Sequence, residues 1–458
     1  MSAFSVAIRN VRKSFKDYGI YFLTVMLGVA LFYIFNSIGS QSVMMDLSQN
    51  AVMSLMGIET IMDYLSVFVA AIMAFLILYA NAFLIRRRKK EMGLYMVLGM
   101  KKFRISSILV WETFLVGLLS LAVGLAVGIF LSQGMALVTA RMFGVSVTRF
   151  AFAFSAAALL KCVRYFGLSF LAVILFNVVN LNRQRLLDLL HADRKTARVA
   201  RLPFWASVPL FAVSAAMLLY AYRLVLTTGI AGFILEGGQS ALTRAVLLGT
   251  AGTFLFFFSL SGFSLKLVSR VKGVYFKNLN MFTLKQLDSK FHAAWASMSF
   301  VCLMLFLALS AISVGTSLSM AIREYSAAET AASVAVAYMA TYIGIVFLIS
   351  CASVLAIAQL SEASDNQSRY ALLSKLGASP KMLSGSALRQ ILAYFVAPLA
   401  LAAAHSLVAV KVMGALVEAL ASLNIFATSL VTGGAVALFY GGYFLMTYRS
   451  ARRMALRQ

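Results

Sequence analysis

The sequence predicts an all-α polytopic membrane protein of about ten transmembrane helices, in two parallel four-helix repeats joined by two central helices. Three observations carry this expectation: an apolar composition, apolar runs of spanning length, and basic residues confined to alternate connections. Of 458 residues, 62% are hydrophobic and 12% charged, whereas a soluble domain has about a quarter of its residues charged. A soluble fold has no interior large enough to hide that much apolar side chain.

Apolar runs near 20 residues long, the length a helix needs to cross a bilayer, fall at 20–38, 64–85, 105–131, 155–180 and 205–226. Five more fall at 245–267, 294–318, 334–355, 391–412 and 427–448. Ten alternating spans place both termini on one side. The four prolines are too few for a chain of repeatedly broken helices. The basic start MSAFSVAIRNVRKSFKDYG precedes a run of spanning length without a small-residue cleavage site, so it reads as a retained first span and not a signal peptide.

The net charge of +25 suggests nucleic acid at first. The basic residues flank apolar runs, however, and form no face on a folded domain, so nucleic acid is excluded as a partner. Membrane topology accounts for them: ten spans divide the 40 Lys and Arg into 32 on the side of the termini and eight on the other. Cytoplasmic connections carry such an excess, so both termini are expected in the cytoplasm. The longest outer connections, 132–154 and 227–244, are too short to fold by themselves. Cys162, Cys302 and Cys351 stand singly without ligand spacing and read as packing residues.

An internal repeat organises the chain. Placing Gly99 on Gly377 aligns RKKEMGLYMVLGMKKFRIS with NQSRYALLSKLGASPKMLS, and AIRNVRKS before the first span resembles TLKQLDSK before the seventh. The division is 1–202, a first four-span unit; 203–270, a two-span connector; and 271–458, a second four-span unit. Both units enter the membrane from the same side, so the repeats are parallel.

Three segments resemble a known family: RRRKKEMGLYMVLGMKKFRI after span 2, RYALLSKLGASPKML after span 8, and NLNMFTLKQLDSK before span 7. They are similar to the FtsX-like permeases of ABC transporters, in particular the ten-span permeases of bacitracin-type peptide-resistance systems, in span order over essentially the whole chain. The resemblance implies a permease subunit in a bacterial cell membrane, coupling hydrolysis on two cytoplasmic ATPase subunits to movement or release of an amphipathic substrate. That substrate is an antimicrobial peptide or a lipid-linked molecule. ATP and Mg belong to the partner, and this chain is expected to carry no cofactor. Consistently, it has no G-x-x-x-x-G-K-[ST] loop and is not expected to be an enzyme. The resemblance departs at one place: the resembled permeases carry a large extracellular domain between spans 7 and 8, and here that link is SMAIREYSAAETAAS. A second permease bearing such a domain, a sensor kinase and membrane lipids are further partners in this view. The alternative reading is a mechanotransmitting signalling protein that moves no substrate.

The candidate ATPase-coupling residues are Glu91, Gly93, Leu94, Leu98 and Gly99 in the first Leu-Gly loop, and Arg369, Tyr370, Leu372, Leu376 and Gly377 in the second. The pattern predicts a short helix over 91–98 with Met92, Leu94, Met96, Val97 and Leu98 as its apolar residues. Gly99 is expected in the left-handed region as its C-terminal cap. Glu91 is placed to pair with a base one helical turn away, and its repeat counterpart is Arg369, of opposite charge. Glu112 in span 3 is either an intramembrane functional acid or an interfacial acid beside Trp111 paired with a local base. On the outer side, Arg141, Arg149, Lys161 and Arg164 are either contacts for a lipid phosphate or snorkelling side chains. His191, His292 and His405 have no metal-ligand spacing and read as structural.

Overall fold

The computed structural model describes residues 3–13, 15–37, 49–142, 152, 154–183, 203–235, 239–269, 272–324, 331–421 and 425–456. Every element among them is helical. The first are α1 (Ala3–Lys13), α2 (Phe15–Asn36), α3 (Gln49–Val97), α4 (Lys102–Met142), α5 (Ala156–Arg183), α6 (Phe204–Leu235) and α7 (Gln239–Ser269). The others are α8 (Lys272–Tyr275), α9 (Asn280–Glu324), α10 (Ala331–Asp365), α11 (Gln367–Lys375), α12 (Pro380–Ala421) and α13 (Ile425–Leu456). In hydrocarbon a backbone must satisfy its own polar groups, and the helix does so within one segment.

Each predicted span falls on one of ten long helices. Among the described residues seven stretches are long and apolar enough to cross a membrane, on α4, α5, α6, α7, α9, α12 and α13. Shorter apolar stretches, Tyr21–Asn36, Val69–Ala82 and Ala340–Leu355, lie where the remaining three spans were expected, on α2, α3 and α10. The chain is a multi-pass, all-α membrane protein. It divides into two compact units, Met1–Arg198 with Glu329–Tyr338, and Val199–Ala328 with Met339–Gln458.

In the first unit α2 is the central helix, packed against α3, α4 and α5, and Tyr21, Val25, Val29, Phe32, Tyr33 and Phe35 along it are buried. Lipid is as apolar as leucine, so close approach and polar contacts, not exclusion from water, drive helices together there. Both devices are present. Gly124 and Gly128, one turn apart on α4, face α2 so closely that a Cβ at Gly124 would stand 2.7 Å from the Met26 carbonyl oxygen, and one at Gly128 3.1 Å from Ala30 Cα. Asn81 on α3 and Asn177 on α5 exchange side-chain hydrogen bonds of 2.5 and 3.2 Å, and Asn177 also donates to Thr113 of α4 at 3.4 Å. The second unit is built around α9, which packs on α7, α12 and α13. A Cβ at Gly344 of α10 would lie 2.9 Å from the Ala308 carbonyl oxygen of α9.

The glycine seam gives a direct test. Gly124→Leu should destabilise the chain by about 1–3 kcal/mol through overpacking, lowering the melting temperature in detergent. Gly167→Leu, at an exposed position where an added Cβ meets nothing within 4 Å, should leave it unchanged.

Candidate functional site

The two Leu-Gly loops close in the same way. In the first, the Gly99 amide donates to the Met96 carbonyl at 3.1 Å and the Met100 amide to the Tyr95 carbonyl at 3.0 Å. In the second, the Gly377 amide donates to the Ser374 carbonyl and the Ala378 amide to the Leu373 carbonyl, both at 3.0 Å. This pair of reversed bonds is the Schellman ending of a helix, which needs a residue in the left-handed region after the last helical turn. Gly99 has φ +85° and Gly377 φ +91°, and only glycine adopts such values without a steric penalty.

The ending also turns the chain so that residues on both sides of the glycine share one apolar core. Met92, Ile105 and Leu109 are buried together with Ile85, and Tyr95, Met96 and Met100 pack on them. Their repeat counterparts Tyr370, Leu383 and Ala387 form the equivalent core, with Leu373 and Ala378 packed against it. The opposite face is left bare. Leu94 and Leu98 are 55% and 71% exposed, and their counterparts Leu372 and Leu376 are 60% and 76% exposed. Each loop therefore presents two leucines one turn apart. Gly93 is buried; Glu91 and Arg369, beside the leucines, are exposed.

The attachment of the two loops differs from the sequence expectation of one short helix in each. Over 91–98 no separate helix forms in the first unit, because α3 runs unbroken from Gln49 to Val97 and the first Leu pair rides on its end. In the second unit α10 stops at Asp365, Asn366 makes a turn, and α11 is a separate helix of 9 residues. Burial pushes the Tyr370 phenol of α11 above its ordinary pKa, consistent with its place in the core.

Below the first loop lies a polar trio, Asn10, Arg88 and Glu112, built on a buried ion pair. Arg88 and Glu112 are 4% and 1% exposed, and the Arg88 guanidinium pairs with the Glu112 carboxylate. It also reaches the Tyr18 hydroxyl of α2 and bonds Glu91 at 2.8 and 2.9 Å. Asn10 of α1 donates to the other Glu112 oxygen at 2.7 Å. One carboxylate thus joins α1, α3 and α4. Glu112 is therefore not an exposed interfacial acid, although neighbouring Trp111 is partly exposed and stacks edge-on against Phe4 at 5.1 Å. Glu91 pairs three residues back.

At the equivalent positions of the second unit the same trio is neutral. Gln286, Asn366 and Gln390 stand where Asn10, Arg88 and Glu112 stand in the first. Gln286 donates to the Asn366 side-chain oxygen at 3.1 Å, and Gln390 to Ser386, which also bonds Thr283. Around Asn366, Tyr370 and Gln390 there is a cavity of about 20 Å³, room for a single water.

Of the candidate outer contacts Arg141, Arg149, Lys161 and Arg164, the last two are described in full. Lys161 is partly buried and Arg164 exposed, one turn apart on α5. Arg149 lies outside the described residues, as does the side chain of Arg141, whose backbone belongs to the end of α4. His405 is a satisfied core residue, bonded to Thr253 at 3.0 Å and to Tyr222; His191 and the side chain of His292 lie outside the described residues.

Residues 64–180, the segment with the first loop and the Arg88–Glu112 pair, match the FtsX-like permease C-terminal family. This segment is similar to the FtsX-like permeases. The chain is also similar to the bacitracin export permease protein BceB of Bacillus subtilis strain 168, 25% identical over 335 residues, which is 72% of this chain and 50% of that protein. BceB of Halalkalibacterium halodurans is 30% identical over 187 residues, 40% of this chain and 28% of the relative. An uncharacterized ABC transporter permease, YvcS of Bacillus subtilis, is 21% identical over 281 residues, 61% of this chain and 42% of the relative. The chain spans about half the length, or less, of these curated relatives.

Within the FtsX-like segment, sequence reasoning singled out Glu112 but missed Arg88 and Asn10 as its partners. Arg88 was one of five consecutive basic residues, and only the helical register of α3 selects it. The repeat alignment held a usable signal, since it sets a charged pair against two amides. Removing one member of a buried ion pair strands the other and costs about 3–5 kcal/mol. Glu112→Gln alone should therefore lower the melting temperature sharply. Arg88→Asn with Glu112→Gln, which copies the second unit, should recover most of that loss, as read by thermal unfolding of the purified chain.

Proposed function

We propose that this protein is the permease subunit of an ABC transporter, with both Leu-Gly loops serving as docking levers for cytoplasmic ATPase subunits. One observation carries the reading: two repeat-related helix ends, each locked by a left-handed glycine onto a buried core, each leave a bare leucine pair facing outward. A fixed apolar knob on a rigid span is what a motor domain needs to push against, because a lever that slides on its own core transmits no displacement. With two such knobs in one chain, two ATPase copies bind, holding ATP and Mg.

The basic-residue asymmetry supports a bacterial cell membrane location, with both termini and both loops cytoplasmic. In this reading 1–202 and 271–458 are the two repeats and 203–270 joins them. The names of the similar BceB proteins support an amphipathic substrate such as an antimicrobial peptide or lipid-linked molecule, captured from the membrane plane. Against the resembled architecture, the connection between α9 and α10 spans only 325–330, so an outer ligand-binding domain is supplied by another subunit.

Leu98→Glu and Leu376→Glu should each leave membrane insertion and thermal stability intact, since both side chains are exposed, while weakening ATPase co-purification. Gly99→Val and Gly377→Val should likewise leave membrane insertion intact and weaken ATPase co-purification, by straining each cap by about 1–3 kcal/mol. Full co-purification and resistance with all four variants would reduce the loops to passive turns. Loss of resistance with normal docking and normal ATP turnover would favour the signalling alternative.

A further inference from the structure

Within the second unit, α6, α7, α9 and α12 line a cavity of about 250 Å³. Tyr222, Val246, Gly249, Leu303, His405 and Val408 are among the residues that line it, all inside stretches long and apolar enough to cross a membrane. At Gly252 α6 and α7 touch, since a Cβ there would lie 2.9 Å from Leu218. One turn away, at Gly249 on the cavity wall, an added Cβ would meet nothing within 4 Å. Leu242 and Val246, on the same wall, are 45% and 57% exposed and form the mouth.

Protein interiors are close-packed, and a space of this size at membrane depth is filled by whatever the surroundings supply. Among the described lining residues none is charged, and the ring nitrogens of His405 are engaged by Tyr222 and Thr253. This predominantly apolar lining suits a hydrocarbon chain, and the most abundant chain at that depth is the bilayer's own.

We propose that this cavity is a binding site for one acyl chain of a membrane phospholipid, which enters between Leu242 and Val246 and ends against His405. The inference goes beyond the docking function and is tested without any ATPase. The purified chain is placed in phosphatidylethanolamine and phosphatidylglycerol vesicles doped with a phospholipid that carries a diazirine in its acyl chain. After illumination the labelled residues are mapped.

Label should concentrate on Val246, Leu303 and Val408 relative to Leu430 and Leu438 of α13, whose exposure makes them a reference for ordinary lipid contact. Gly249→Leu, which projects into the cavity without a clash, should abolish the cavity label, leave the α13 label and keep or raise the melting temperature. Val408→Phe provides a second filling variant should the first not fold. Equal labelling of cavity and α13, or cavity label unchanged in a folded filling variant, would overturn the proposal. Displacement by a prenol but not by excess phospholipid would overturn the choice of chain.

Discussion

One glycine in each Leu-Gly loop, held in the left-handed region, is the constraint on which the rest of the candidate site depends. Gly99 and Gly377 stop a helix by sending the next two amides back onto its last carbonyls. The chain then returns over the helix it has just left, and the residues flanking the glycine bury each other. Tyr95 and Met100 meet on one core, and Leu373 and Ala378 meet on the other. With one face committed to that core, Leu94 and Leu98 in the first unit and Leu372 and Leu376 in the second have no place inside. Exposure of four leucines is therefore a product of the cap geometry, not a lapse in packing.

The two units build the same cap on different foundations. In the first, the lever is the end of α3 itself, and the Arg88–Glu112 pair ties it to α4, with Asn10 adding α1. Burying such a pair is costly unless its remaining hydrogen bonds are met, and here Tyr18, Glu91 and Asn10 meet them. In the second, Asn366 interrupts the helix at the position of Arg88, and amide contacts replace the ion pair. The FtsX-like match covers the first of these loops.

Much of the fold was legible because membrane helices announce themselves twice, once by apolar length and once by the charge of what lies between them. The repeat and both left-handed glycines were legible as well, since Leu-Gly followed by a polar stretch is a helix stop with a physical reason. Contacts across helices were not. The seam of Gly124 and Gly128 on α2, the Asn81–Asn177 contact and the selection of Arg88 from a run of five bases all depend on helix rotation, which composition does not record. The separateness of the lever was misjudged over 91–98 because nothing in RRRKKEMG breaks a helix, and α3 simply continues. The cavity among α6, α7, α9 and α12 is equally silent in sequence.

The central claim is that two structurally equivalent loops of one chain hold the same kind of motor subunit. Photo-crosslinking from single residues introduced at Leu98 and at Leu376 in native membranes tests it most directly, with the product identified by mass and by binding of an ATP analogue. The account predicts that each position captures a nucleotide-binding ATPase and that crosslinking from both positions together yields two copies per chain. Capture from neither position, or labelling of these residues by a membrane-impermeant reagent applied from outside, would contradict it.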